Sequence, residues 1–148
     1  ETSGHAALKE NYFLDDGAYL ATKIVIEAAK TPVDELIKDL KYPLVEKELR
    51  FKLNAEDFQD YRDQVLDSLK EFVAKQPNME PAKDNYEGYR VCFDHGWFLL
   101  RKSLHDPILP CNIESTKEGG CKEIANTMYP FMVQFEKLDL ASLRQFIE

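Results

Sequence analysis

The sequence predicts an α+β fold: an antiparallel β-sheet of about four strands flanked by helices, preceded by further helices that belong to a separate domain. Three observations carry this. Apolar residues recur with helical spacing as far as Leu40 and with a period of two from Leu49 onward, so the type of secondary structure changes across Tyr42-Pro43. Two apolar runs flank Asp94-His95-Gly96, the signal of a tight hairpin. From residue 44 the elements read β-α-β-β-β-α, an order that suits an antiparallel sheet covered by helices. Tyr42-Pro43, where a helix must stop, divides the chain into domains at 1–42 and 43–148.

Asp15-Asp16-Gly17 opens an amphipathic helix over 16–29, with Tyr19, Leu20, Ile24, Val25 and Ala28 on one stripe. Thr31 as cap and Pro32 at the first helical position predict a second helix that turns Val33, Leu36, Ile37 and Leu40 inward. Beyond the boundary, Leu49, Phe51 and Leu53 share one face of a strand. Asn54, helped by Asp57, caps a long helix whose stripe is Phe58, Tyr61, Val65, Leu69 and Phe72. Residues 76–88, with two prolines and a glycine, read as a loop. The hairpin strands are 89–93 and 97–100, and the second is apolar on both faces, which places it centrally in the sheet. A strand over 108–115 contains Pro110, which suggests a bulge or an edge. Gly119-Gly120 starts a helix that Pro130 ends or kinks, and Asp139 caps a short last helix with Leu140, Leu143 and Phe146 inward.

With 148 residues, 44% apolar and 31% charged, the composition is that of a soluble globular protein. The net charge of -8, without a basic stripe, argues against nucleic acid and against an anionic membrane as partners. No apolar run approaches the ~20 residues of a membrane span. Cys92, Cys111 and Cys121 are odd in number and form no CxxC, which predicts three reduced thiols in a cytoplasmic protein and no metal site. The three histidines lack metal-ligand spacing, and His95 reads as a solvated turn residue. The chain opens inside a polar stretch without an initiator Met, as expected of a domain excised from something longer.

An acidic protein that binds an anion must concentrate its positive charge locally. Residues 101–107, Arg-Lys-Ser-Leu-His-Asp-Pro, supply a guanidinium, an ammonium, a hydroxyl and an imidazole within five positions. A phosphate monoester presents about -1.5 to -2 charges and three acceptor oxygens. The planar fork of Arg101 matches two of them, and Ser103 can donate to the third. The competing reading is an ordinary solvated turn that happens to be basic.

The stretch Gly88-Tyr89-Arg90-Val91-Cys92-Phe93-Asp94-His95-Gly96-Trp97 followed by Arg101-Lys102-Ser103 resembles the last domain of the α-D-phosphohexomutases (phosphomannomutase/phosphoglucomutase). In that family a DGxR hairpin leads into a phosphate loop R-x-S-N-T-x-P. Arg101, Ser103 and Pro107 match it, whereas Leu104 and His105 replace Asn and Thr, as in an S-L-H-D-P variant of the loop. Glu1-Thr2-Ser3-Gly4-His5 is similar to the family's sugar-recognition loop G-E-x-S-G-H, and Lys9-Glu10-Asn11-Tyr12 and Asp15-Asp16-Gly17 continue the likeness.

The resemblance covers nearly the whole chain and implies the end of the third domain (1–42) plus the fourth (43–148). It implies that Arg101, Lys102, Ser103 and His105 bind substrate phosphate and that Glu1, Ser3 and His5 bind the sugar. It further implies a parent enzyme that interconverts hexose 1- and 6-phosphates of glucose or mannose through a hexose 1,6-bisphosphate. Neither the family's phosphoserine loop nor its Mg²⁺ loop occurs in this sequence. No catalytic residue is therefore expected here, Mg²⁺ and the bisphosphate are cofactors of the whole enzyme only, and the upstream domains of the same chain are its expected partners. Two alternatives are a phosphoglucosamine mutase, whose sugar loop usually has Gln where Thr2 stands, and a regulatory phosphosugar-binding module without chemistry.

Overall fold

Leu49, Phe51 and Leu53 alternate with Glu48, Arg50 and Lys52, and that alternation builds the first strand of the sheet. In the computed structural model, which describes residues 4–86, 88–103 and 106–148, β1 (Val45–Lys52) buries Leu49 and Phe51 and leaves their neighbours wet. Leu53 continues the buried face through a bridge to Leu138. The chain divides into two compact units, Glu1–Lys41 and Tyr42–Glu148.

In the second unit, β1 is followed by α3 (Phe58–Val73), β2 (Glu80–Pro81), β3 (Gly88–Phe93), β4 (Gly96–Arg101), β5 (Ile108–Ser115), α4 (Gly120–Met132) and α5 (Ala141–Ile147). The strands form one antiparallel sheet in the order β1-β5-β4-β3-β2, so β4 is central, as its two-sided apolarity requires. The register aligns Leu49, Cys111, Leu100 and Tyr89 across four strands, and next to them Ile113, Phe98 and Val91. These rows share one face. Together with Val65, Leu69, Ile124, Met128 and Phe131 of α3 and α4 they form a single core. Phe72 of α3 meets Phe131 of α4 at 5.2 Å between ring centres. The α+β reading is borne out, with a fifth strand.

That fifth strand, β2, lies inside the stretch read as a loop. It is only two residues long, and Pro81 keeps it at the edge, where a missing N–H costs no ladder bond. Pro110 has the opposite fate. β5 lies between β1 and β4 and is neither an edge nor bulged there, with Pro110 opposite Arg50 in the β1 register. The β4 ladder instead stops at Leu100–Cys111, one residue short of Pro110, where a proline nitrogen has no hydrogen to offer. Pro130 does not end α4, which runs on to Met132, because Phe131 and Met132 are buried and packing outweighs the lost bond.

The caps also shift. Asp57, not Asn54, caps α3 by accepting from the Asp60 amide at 3.3 Å, while Asn54 N–H is spent on the Lys137 carbonyl. Asp139 receives the Ala141 amide at 2.9 Å, one residue outside the Leu140 cap position. The buried stripe of α3 is Arg62, Val65, Leu66, Leu69 and Val73, with Phe58, Tyr61 and Phe72 along its border. His95 is not a solvated turn residue: its side chain is 29% exposed, with Nε2 3.6 Å from Glu123 Oε2, because the hairpin folds onto α4.

In the first unit, a 3-10 turn (Lys9–Asn11) leads to α1 (Gly17–Ala28), where Asp16 caps by accepting the Tyr19 amide at 3.0 Å. The second helix, α2 (Val33–Leu36), is one turn long and starts after Pro32, which itself sits at the cap position without a side-chain bond. Val33, Leu36, Ile37 and Leu40 are exposed rather than inward, as are Ile24, Val25 and Ile26. A four-residue helix has no full turn of partners against which to bury that stripe.

Candidate phosphate-binding site

The end of the β4–β5 ladder creates the loop. Because pairing with β5 stops before Pro110, the chain leaves the sheet after Arg101, turns, and re-enters at Ile108. On the other side Arg101 is still paired with Gly88 of β3. A glycine is required there: a Cβ would lie 2.2 Å from the Leu100 carbonyl oxygen and 2.8 Å from Arg101 Cα. Alternation turns Arg101 away from the core rows onto the opposite face of the sheet. There its Nε donates to Oδ1 of Asn112, a residue 5% exposed, at 3.3 Å.

Ser103 closes the first turn of the loop by accepting the Asp106 amide on Oγ at 3.1 Å, which commits a lone pair and leaves the hydroxyl hydrogen directed outward from that bond. The Ser103 carbonyl accepts from Arg62 Nη1 of α3 at 2.8 Å. The other edge of the same guanidinium donates from Nε to Asp63 Oδ1 at 3.0 Å, and Lys102 Nζ reaches that same oxygen at 2.9 Å. The Arg62 bond, and after it the Lys102 bond, holds the Asp63 carboxyl below the usual carboxylate range. The loop exit is fixed by Leu53 N–H donating to the Pro107 carbonyl at 2.8 Å. The described part of the loop thus gathers Arg101, Lys102 and Ser103 at one end of the sheet, with Arg62 bound to the Ser103 carbonyl and joined to Lys102 through Asp63. His105 and Leu104 lie outside the described residues.

Arg62, Asp63 and Asn112 were missed by sequence reasoning. Their signals were a charge inside a helix's apolar stripe, four residues after Phe58, and an amide inside the apolar run Ile108–Ile113.

Of the proposed sugar-binding residues, Glu1 and Ser3 lie outside the described residues. His5 Nδ1 is 2.5 Å from Asp15 Oδ2, and Ala7 bridges to Asp15, so the start of the unit is tied to the residue before the α1 cap. Glu10 pairs with Lys23 of α1, and Asn11 donates to the Asp16 cap at 3.4 Å. Between them Tyr12 and Phe13 both adopt positive φ, at 54° and 57°, a strained conformation for bulky side chains.

No family model matches the chain. Among curated proteins it is similar to the phosphoglucomutase of Neisseria meningitidis, 30% identical over 131 residues, and to the phosphomannomutase/phosphoglucomutase of Pseudomonas syringae pv. tomato, 26% identical over 133 residues. These alignments take in 85% and 87% of the chain, which spans only 27% of the length of either relative. Among solved structures, a phosphoglucomutase/phosphomannomutase family protein of Burkholderia thailandensis superposes with a TM-score of 0.57 at 22% identity, over 97% of this chain and 28% of that one. The likeness in fold and the likeness in sequence agree with the motifs at 86–107: the chain is similar to a stretch about a quarter of the length of these phosphoglucomutase and phosphomannomutase/phosphoglucomutase relatives.

Proposed function

We propose that this chain is the carboxyl-terminal part of a phosphomannomutase/phosphoglucomutase that interconverts hexose 1-phosphate and hexose 6-phosphate through a hexose 1,6-bisphosphate. Its task in that reaction is to hold the phosphate that is not reacting, through the loop after β4, and the ring hydroxyls, through Glu1, Ser3 and His5. Arg101 presents a planar fork to two phosphate oxygens and Ser103 donates its hydroxyl to a third, while Lys102 and His105 complete the polar set of the loop in an otherwise acidic protein. A substrate that binds in both orientations needs one receptor for whichever phosphate is idle, and a loop remote from the transferring phosphoryl group can serve both. Mg²⁺ and the phosphoryl-carrying serine belong to parts of the enzyme outside this sequence. The chain alone binds and positions; it does not transfer phosphate. The free thiols of Cys92, Cys111 and Cys121 support a reducing, cytoplasmic setting.

The observation that carries the reading is the bracing of 101–107: an otherwise short connection is held by a buried arginine at Ser103 and by Asn112 at Arg101. A merely solvated turn needs neither. Calorimetric titration with glucose 1-phosphate tests it. Arg101→Lys should weaken binding about tenfold or more, because one charge-assisted bond of the fork is lost, with little change in melting temperature. Equal affinity in the variant refutes the role.

A further inference from the structure

Among the described residues of the loop Lys102 is the more exposed of the two cations, yet it is turned back onto α3. Its ammonium lies on the Asp63 carboxylate oxygen that also receives Arg62, and Arg62 holds the Ser103 carbonyl. We propose that Arg62, Asp63 and Lys102 form a clasp that positions Arg101 and Ser103 for phosphate, and that Lys102 and Asp63 act on the anion only through it. This rests on the reading of 101–107 as a phosphate loop.

The geometry argues for it link by link. Arg62 is 8% exposed, and a guanidinium that deep is costly to bury unless its N–H groups find acceptors. It finds two, one on its own helix and one on a backbone carbonyl 41 residues away in sequence. The second bond joins the rigid helix to the middle of the loop, between Arg101 and the Ser103 hydroxyl. Asp63 balances the buried charge and draws Lys102 down, so residues 102 and 103 are both held from below. With those held, Arg101 Nε rests on Asn112 and Ser103 Oγ on the Asp106 amide. The result is a turn whose ligand-facing groups are set before the ligand arrives, which lowers the ordering cost of binding.

The proposal makes a prediction of sign. Asp63 is a negative charge beside an anion site, so simple electrostatics requires Asp63→Ala to tighten phosphate binding. The clasp requires the reverse. Ala, the best helix former, keeps α3 helical, and because Asp63 also balances the buried Arg62 the melting temperature of each variant is read beside its affinity, so that lost folding and lost positioning are told apart. The test titrates the chain with inorganic phosphate and reads amide exchange at Asp106 without ligand. Expected are a phosphate affinity about two- to fivefold weaker in Asp63→Ala, the factor an exposed ion pair supplies, and faster Asp106 exchange. Lys102→Met should weaken binding to a similar extent, and the double variant no further than the worse single one. Arg62→Lys should restore part of the affinity lost in Arg62→Met. Tighter binding in Asp63→Ala, unchanged Asp106 exchange, or single effects that multiply in the double variant overturn the clasp. The last would put Lys102 on the phosphate itself. Arg101→Lys is run alongside: if it weakens binding while the clasp tests fail, only the clasp falls, and if it too is without effect, or the wild-type chain shows no saturable binding, the phosphate loop falls with it.

Discussion

Gly88→Ala adds one methyl group and should damage both the sheet and the site. The new Cβ would sit 2.2 Å from the Leu100 oxygen and 2.8 Å from Arg101 Cα, both main-chain atoms, so no rotamer change relieves the clash. Ordinary contact requires roughly 3.5 Å, so β3 and β4 must part by about 1 Å at their Gly88–Arg101 end. Overpacking of this kind costs about 1–3 kcal/mol, and at about 2–4 °C per kcal/mol for a chain of this size the melting temperature should drop by about 2–12 °C. The displaced residue is Arg101, whose bond to Asn112 is already long at 3.3 Å. A shift of about 1 Å in a positioning group can cost up to about a hundredfold, so inorganic phosphate should bind at least several-fold more weakly. Thermal unfolding and phosphate titration of the same sample measure both. Gly17→Ala is the control: it lies at the start of α1 with nothing within 4 Å of an added Cβ, and it should not lower the melting temperature. A Gly88→Ala protein with wild-type melting and wild-type affinity would refute the claim that close β3–β4 approach places Arg101.

Other outcomes follow from the same geometry. The purified chain, given glucose 1-phosphate, Mg²⁺ and hexose 1,6-bisphosphate in a coupled assay, should turn over at background; activity above it would relocate the chemistry into this sequence. Asp63 has its folded pKa depressed by Arg62 and then Lys102, so its stabilisation is present above the ordinary carboxylate pKa of about 3.9 and is lost as pH falls through the lower folded value. The stability gap between wild type and Asp63→Ala, to which the half-exposed Asp63–Lys102 pair contributes about 0.2–1 kcal/mol and the Arg62 bond adds, should hold from pH 7 to about 5 and close below about 4; a gap that widens in acid would contradict this. Burial pushes the Cys111 thiol well above its usual pKa, so thiol alkylation should modify the half-exposed Cys92 first and reach Cys111 only on unfolding. Labelling of Cys111 in the native chain at a rate like that of Cys92 would mean that the core between the sheet and α4 opens.

Much of the second unit was legible because its strands obey one dominant rule. The Leu49-Phe51-Leu53 alternation, the hairpin at 94–96 and the two-sided apolarity of 97–100 each have a single low-energy interpretation, and the sheet follows. The failures share a cause: a local rule was outvoted by a partner far along the chain. Pro110 enters the sheet interior because β4 stops pairing before it, and α4 passes Pro130 because Phe131 and Met132 are buried. β2 is too short to carry a period and exists through its pairing with Val91 and Cys92. In the candidate site, Arg101 and Ser103 stood out because a fork and a hydroxyl at that spacing suit a phosphate and because they match the loop that the sequence resembles. Arg62 was not, since a charged residue in a helix reads as solvent-facing until the carbonyl it reaches, at Ser103, is known.

The central claim, that residues 101–107 receive a phosphate, is tested most directly by titrating the isotope-labelled chain with glucose 1-phosphate and following every backbone amide by NMR. A phosphate held by this loop gives saturable shifts concentrated at Arg101, Lys102, Ser103 and Asp106, reproduced by inorganic phosphate and largely lost in Arg101→Lys. Shifts that do not saturate, that cluster around the hairpin at His95 instead, or that survive Arg101→Lys unchanged would contradict it.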